Sequence, residues 1–246
     1  MTNLEYLPDA DGYLMVALLG GFGLFWGHTL LSVPRASQRL VALLALQGGM
    51  VRRTAVAGTL WPDASQQHAY CNLRQTLARL QRTARKALAA SKTELGLADD
   101  VAVDIRHARA LARRLLDPAV TPERSELGTA AVGVLSAELL PDWDDDWVLL
   151  EAEDWRQLRL HALEALAGRL ATAGRCGEAA GAAGAAVRAD PLRESARASL
   201  IQVHLAEGNQ SEAVREFARY QALLHVDLGL EPTPRLRHLI DGLHSP

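Results

Sequence analysis

The chain has 246 residues, 49% hydrophobic and 22% charged, which is ample material for a core and more than the commonest single domain needs, so two domains are expected. Aromatic residues are only 5% while Ala and Leu abound, a mix that favours helices packed on helices, and two distant cysteines, Cys71 and Cys176, exclude a disulfide framework and fit a reducing, cytoplasmic setting. The net charge of −3 hides an asymmetry: residues 35–93 hold ten Lys/Arg and one acid, Asp63, for +9, whereas residues 94–246 hold 16 Lys/Arg against 25 Asp/Glu, for −9. A basic module joined to an acidic one points to a polyanionic partner for the first alone.

Residues 1–13 carry three acids and no basic residue, so no signal peptide is expected there, only a disordered or weakly held tail. The apolar run LMVALLGGFGLFW at 14–26 is too short for a spanning helix, which needs about 20 residues. It reads as strand and turn, with short strands from 14 to 33 broken by Gly20, Gly21, Gly23 and Gly27. Pro34 stops them. A first helix is expected over 35–47, with Leu40, Leu43, Leu44 and Leu46 as its apolar stripe and Gly48-Gly49 as its stop.

A short second helix spans about 54–60, with Thr54 as a candidate cap. Trp61-Pro62-Asp63 is a turn. The third helix, about 65–84, is the most informative stretch. Tyr70, Leu73, Leu77 and Leu80 recur at steps of three and four and predict one buried stripe. The opposite face collects His68, Asn72, Gln75, Arg79 and Arg82, all potential hydrogen-bond donors and none an acid. Helix propensity would carry RKALAA on to residue 89. The preferred reading stops the helix near 84 and makes 87–89 and 94–97 two strands around a tip at Ser91-Lys92.

Asp104 is placed to cap a helix running to about 116, and 117–128 reads as loop. From Trp147 onward the chain is helical almost throughout. Gly174-Arg175-Cys176-Gly177-Glu178-Ala179 matches Gly208-Asn209-Gln210-Ser211-Glu212-Ala213 at an offset of 34, as do Leu166 and Leu200. That is the tetratricopeptide (TPR) period, in which stacked helix pairs bury what one pair cannot. The fold expected is mainly α: a winged helix-turn-helix domain with small sheets over 1–103, then an all-α TPR-like helical-repeat domain over 104–246.

Three helices with a terminal hairpin suit DNA. The major groove admits one helix, and Arg, Asn and Gln read base edges there. The expected base-reading residues are His68, Asn72, Gln75, Arg79 and Arg82. Arg52, Arg53, Arg74, Arg85 and Lys92 are expected to hold phosphates. An ordinary surface helix with a solvated basic face is the plainer reading, but such helices mix both signs to gain i,i+4 pairs, and this one has no acid.

The residues also carry a family resemblance. Gln38-Arg39-Leu40, Leu60-Trp61-Pro62-Asp63, Asn72-Leu73-Arg74-Gln75 and Val103-Asp104-Ile105 resemble the DNA-binding half of the Streptomyces antibiotic regulatory protein family. Glu138-Leu139-Leu140-Pro141-Asp142-Trp143, Leu158-Arg159, Glu164-Ala165-Leu166, Ala189-Asp190-Pro191-Leu192-Arg193-Glu194 and Leu228-Gly229-Leu230-Glu231-Pro232 are similar to its bacterial transcriptional activation domain. The resemblance spans about 15–243 in one order. It implies a sequence-specific activator that binds repeated promoter sites through the helix at 65–84 and contacts RNA polymerase. It also resembles the short members, those without an ATPase or receiver domain. A homodimer, through the helical domain or on DNA, is expected.

Other constellations favour plainer readings. The carboxylates of 142–146 are close enough for a cation, but a calcium loop's glycine and distal glutamate are missing; they suit a helix start, with Trp143 and Trp147 packing inward. Gly20–Gly23 lacks the Gly-Lys-Ser/Thr of a phosphate loop. His161 and Glu164 read as surface residues and Cys71 as a small packed side chain. No catalytic constellation, cofactor motif or metal motif is expected, so an enzyme is not. The competing function is a TPR-like interaction scaffold with a vestigial winged helix.

Overall fold

The computed structural model describes residues 13–241, which form two compact units: residues up to Ala108 with Glu138–Trp155, and Arg109–Ala137 with the residues from Arg156 on. All but the last residue of the tail expected at 1–13 lies outside the described residues.

The first unit opens with β1 (Leu14–Ala17), β2 (Gly23–Trp26) and β3 (Thr29–Leu30), an antiparallel meander with Met15 opposite Phe25 and Phe25 opposite Leu30. Every residue of β1 is buried. Helix α1 (Arg35–Gln47) has the bounds its apolar spacing predicted and ends on Gly48 at φ 74°, a left-handed turn that Gly adopts without a Cβ clash. Then come β4 (Val51–Arg52), α2 (Arg53–Leu60), α3 (Gln66–Arg79), a single turn α4 (Arg82–Arg85), β5 (Leu88–Ala90), β6 (Glu94–Leu97) and β7 (Ala102–Val103). Strand β7 pairs parallel to β1 and completes a four-stranded sheet in the order β3-β2-β1-β7, while the second sheet runs β4-β6-β5. The three helices between the sheets and the closing β5–β6 hairpin are the winged helix-turn-helix.

Two local expectations are corrected. Thr54 is not the cap of α2: the N-cap is Arg52, with no side-chain cap bond, because the backbone of 51–52 is held in β4 against Leu95 and Glu94. The third helix does not run to 84. It ends at Leu80, which is extended at φ −64° and ψ 126°. The hairpin expected after it is present, with Ala89 opposite Gly96 and Ala90 opposite Leu95.

Residues 138–155 close the first unit. Leu139 bridges Leu19, the Gly20 N–H donates to the Glu138 carbonyl at 2.7 Å, and the Leu140 N–H to the Leu18 carbonyl at 2.9 Å. Trp143, 6% exposed, stacks on Phe22 with centroids 6.0 Å apart, and the Arg35 guanidinium lies 3.9 Å from its ring centroid. Arg39 donates to Asp145 from Nε at 2.9 Å and to the Leu60 carbonyl at 2.9 Å. The apolar anchor and the ion pair explain why a Trp–Asp run lies here.

Helix α5 (Asp104–Leu116) begins in the first unit and ends in the second. A 3-10 turn (Arg124–Glu126), α6 (Thr129–Ser136), α7 (Asp146–Thr172), α8 (Cys176–Ala189), α9 (Glu194–Ala206), α10 (Gln210–Leu228) and α11 (Pro234–Asp241) follow. In the second unit α8 packs on α9, α9 on α10, and α11 on both α9 and α10. The 34-residue offset is structural. Gly174 and Gly208, at φ 72° and 84°, follow the ends of α7 and α9, the first helices of successive pairs. Ala179 and Ala213 are both fully buried, and Glu178 and Glu212 pair with Arg175 and Arg215. Arg197, Glu216 and Tyr220 make a buried polar contact inside this stack, with Arg197 Nη1 to Glu216 Oε2 at 2.7 Å.

Candidate nucleic-acid interface

Helix α3 starts where Ser65 Oγ accepts the His68 N–H at 3.4 Å, satisfying one of the unpaired donors of the first turn. Its buried residues are Ala69, Leu73 and Thr76, followed by Leu80. At about 100° per residue these form one narrow stripe. Opposite it stand Gln67, Cys71, Arg74 and Ala78, all exposed. The expected face of His68, Asn72, Gln75 and Arg79 therefore lies along one flank: His68, Gln75 and Arg79 are exposed and Asn72 is half-buried. Tyr70, expected in the core, is 37% exposed on the other flank, and Leu77 is half-buried. Small Ala69 and Thr76 replace Tyr70 in the core because α3 lies close against α2 and α1; the Ser37 hydroxyl of α1 donates to the Thr76 carbonyl at 3.5 Å.

Arg82 is exposed but sits on α4, beyond the break at Leu80, so it does not continue the α3 face. Arg85 is committed within the fold. Its Nη2 donates to the carbonyls of Leu77 at 2.6 Å and Ala78 at 3.3 Å, capping orphan acceptors at the end of α3. Arg53 likewise turns to the protein, donating from Nε at 3.1 Å and Nη2 at 2.9 Å to the Ser91 carbonyl in the wing tip. Lys92 stands exposed at that tip, Arg52 is exposed on β4 opposite Glu94, and Arg74 is exposed on α3. Lys86, absent from the expected set, lies with Nζ 5.2 Å from the Trp26 ring centroid. Gln67 lies outside the expected set because Tyr70 and Leu77 shift the apparent helical phase; the small Ala69 and Thr76 mark the observed one.

Residues 64–93 contain no acid, so α3, α4 and the wing as far as Thr93 present one sign of charge, and Glu94 on β6, opposite Arg52, is the first acid after them. The Asp104 carboxylate is engaged by backbone N–H groups. Asp104 accepts the N–H groups of Leu18 and Leu19, each at 2.9 Å, and of Ile105 at 2.6 Å. Burial pushes its carboxyl above the ordinary range, against the pull of those three N–H groups and of His107. Among the described residues no group of three His, Cys, Asp or Glu is gathered as a metal site, and Asp145 of the acidic run is spent on Arg39.

The profile of a family described as bacterial transcriptional activator domain matches residues 100–244. The chain belongs to that family, among the Streptomyces antibiotic regulatory proteins. It is 30% identical over 256 residues to regulatory protein AfsR of Streptomyces griseus, covering 95% of this chain and 25% of the relative. It is 27% identical over 239 residues to AfsR of Streptomyces coelicolor, covering 87% and 22%. The family member thus spans about a quarter of the length of these relatives. Mycobacterium tuberculosis EmbR, solved in complex with a low-affinity phosphopeptide, matches with a TM-score of 0.67 at 23% identity, over 93% of this chain and 64% of that one. That likeness supports the fold: winged helix first, helical repeats after. No helix among the described residues is long and apolar enough to cross a membrane.

Proposed function

We propose that this regulator binds double-stranded DNA sequence-specifically, with α3 in the major groove and the wing tip on the backbone, and activates transcription from the cytoplasm by contacting RNA polymerase. The acid-free run 64–93, folded so that Gln67, Arg74, Gln75 and Arg79 project from one exposed surface of a capped helix, carries this reading. Gln and Arg match the donor–acceptor edges of A·T and G·C pairs, and exposed Arg52, Arg82 and Lys92 supply positive charge for phosphates. A scaffold would have no use for an acid-free run at 64–93 that leaves Arg74, Arg79, Arg82 and Lys92 exposed. Repeated half-sites and a homodimer, on DNA or through the helical unit, belong to the same proposal.

The test is a titration of a labelled duplex of mixed sequence over a range of salt concentrations. Each phosphate neutralised should contribute about −0.9 to the slope of log affinity against log salt. Several contacts are expected, and a slope of zero overturns DNA binding. Selection of bound sites from random DNA then separates specific from uniform binding, and a transcription assay with purified polymerase on the selected site tests activation.

A further inference from the structure

We infer that Arg53 is a positioning residue that sets the wing tip for DNA, so that the reach of Lys92 to a phosphate depends on Arg53; this rests on the DNA-binding reading above. Ser91–Thr93 is an exposed tip between β5 and β6. Within the hairpin it is tied by the Ser91 hydroxyl, which accepts the N–H groups of Thr93 at 3.3 Å and Glu94 at 3.0 Å. Among the described residues, the hydrogen bonds reaching Ser91–Thr93 from outside the hairpin come from Arg53: two prongs of its guanidinium on the Ser91 carbonyl, and its own N–H on the Thr93 carbonyl at 2.9 Å.

Arg53 is also the first residue of α2, and α2 packs on α3. The side chain therefore references the tip to the helix that carries α3, and both DNA-facing parts share one support. A guanidinium can do this because its N–H donors leave in a fixed fork, whereas a lysine ammonium is a point charge on a flexible stem. With the fork gone the hairpin remains, but its tip loses the constraint that holds Lys92 in place. Side-chain geometry of this kind governs binding when the contact it supports is itself near the surface and entropically costly to order.

The charge-conserving variant Arg53→Lys separates the roles. Its salt slope on a duplex of mixed sequence is compared with that of the wild type, Lys92→Ala and the double variant. Lys92→Ala should lower the slope by about 1, as loss of one phosphate contact does. Arg53→Lys should lower it by a similar amount although no charge is removed, and the double variant should be no worse than Lys92→Ala. Amide hydrogen exchange should show faster exchange at Thr93 and Glu94 in Arg53→Lys, while thermal melting keeps its cooperative transition. A wild-type slope with Arg53→Lys, or a further loss in the double variant, overturns the inference and leaves DNA binding standing. Unchanged exchange at the tip overturns it whether or not DNA binds. A zero slope for the wild type overturns the DNA reading, and with it the role of Arg53 in affinity.

Discussion

Single residues show how the periodic pattern and the packing part company. Leu73 is fully buried and Tyr70, one turn earlier on the expected stripe, is 37% exposed. Leu73→Ala should therefore destabilise the first unit by roughly 2–5 kcal/mol through lost burial and a cavity, whereas Tyr70→Ala should cost less, roughly 1 kcal/mol. Denaturant titration followed by tryptophan fluorescence would order them, and equal losses would refute the observed helix phase. Asp104 carries a different cost. Removing its carboxylate in Asp104→Ala leaves the N–H groups of Leu18 and Leu19 without their acceptor, at roughly 1–3 kcal/mol for an unsatisfied buried donor. In the second unit, Glu126 is pushed up by burial but held below its ordinary value overall by the Arg114 guanidinium and the Glu123 N–H. A lowered folded value means its stabilisation is present above the unfolded value of 4.5 and is lost as pH falls through the folded one. With Arg114 46% exposed, the effect should stay below about 1 kcal/mol. Melting curves of Glu126→Gln should show less stability than the wild type at neutral pH and a smaller loss on acidification; parallel pH profiles would count against the pair.

Among the elements, the proposed DNA recognition would divide between α3 and the wing. The exposed centre of α3 near its N-terminus is Gln67, with Arg74 a further two turns along, and N-terminal residues of a recognition helix are the ones that reach base edges. Gln67→Ala should cost roughly 1–3 kcal/mol on the selected site and relax one base position. Arg82→Ala, on α4 beyond the break at Leu80, should weaken binding to all sequences alike and reduce the salt slope by about 1. Competition between the selected duplex and single-base variants measures both. A uniform loss from Gln67→Ala would move base reading to the flank of His68, Gln75 and Arg79. The existence of α3, its approximate start and its lack of acids were legible in the sequence. Its rotation was not, because Ala69 and Thr76 enter the core through close helix approach rather than through hydrophobicity.

For the whole molecule, the order of the chain and the order of the packing differ. Leu139, Leu140, Trp143 and Asp145 bond to or stack on residues of the turn between β1 and β2 and of α1, although 109–137 intervene. A fragment of 1–103 would lose these contacts and the Asp104 acceptor as well. It should be less stable than a fragment of 1–155, and gel-shift and melting experiments on the two should show DNA binding retained at higher temperature by the longer one. Equal melting temperatures would show that 138–155 contributes nothing to the first unit. The proposed division of labour, with DNA contacts confined to the first half, predicts no DNA retardation by a fragment of 104–246.

Sequence alone determined the types of the longer elements, the bounds of α1, the hairpin after residue 84, the 34-residue repeat and the family. These follow from spacing, glycine and proline placement, and motifs in one order, all of which act over a few residues or repeat at a fixed period. Tertiary structure decided which face of α3 is buried, that Arg53 and Arg85 donate to backbone carbonyls before any phosphate, and that residues 138–155 complete the first unit. Each of these depends on partners far away in sequence: Ser37 against Thr76, Arg53 against Ser91, Arg39 against Asp145. A side chain's charge is written in its identity, but the acceptor it satisfies is set by what the fold brings within about 3 Å.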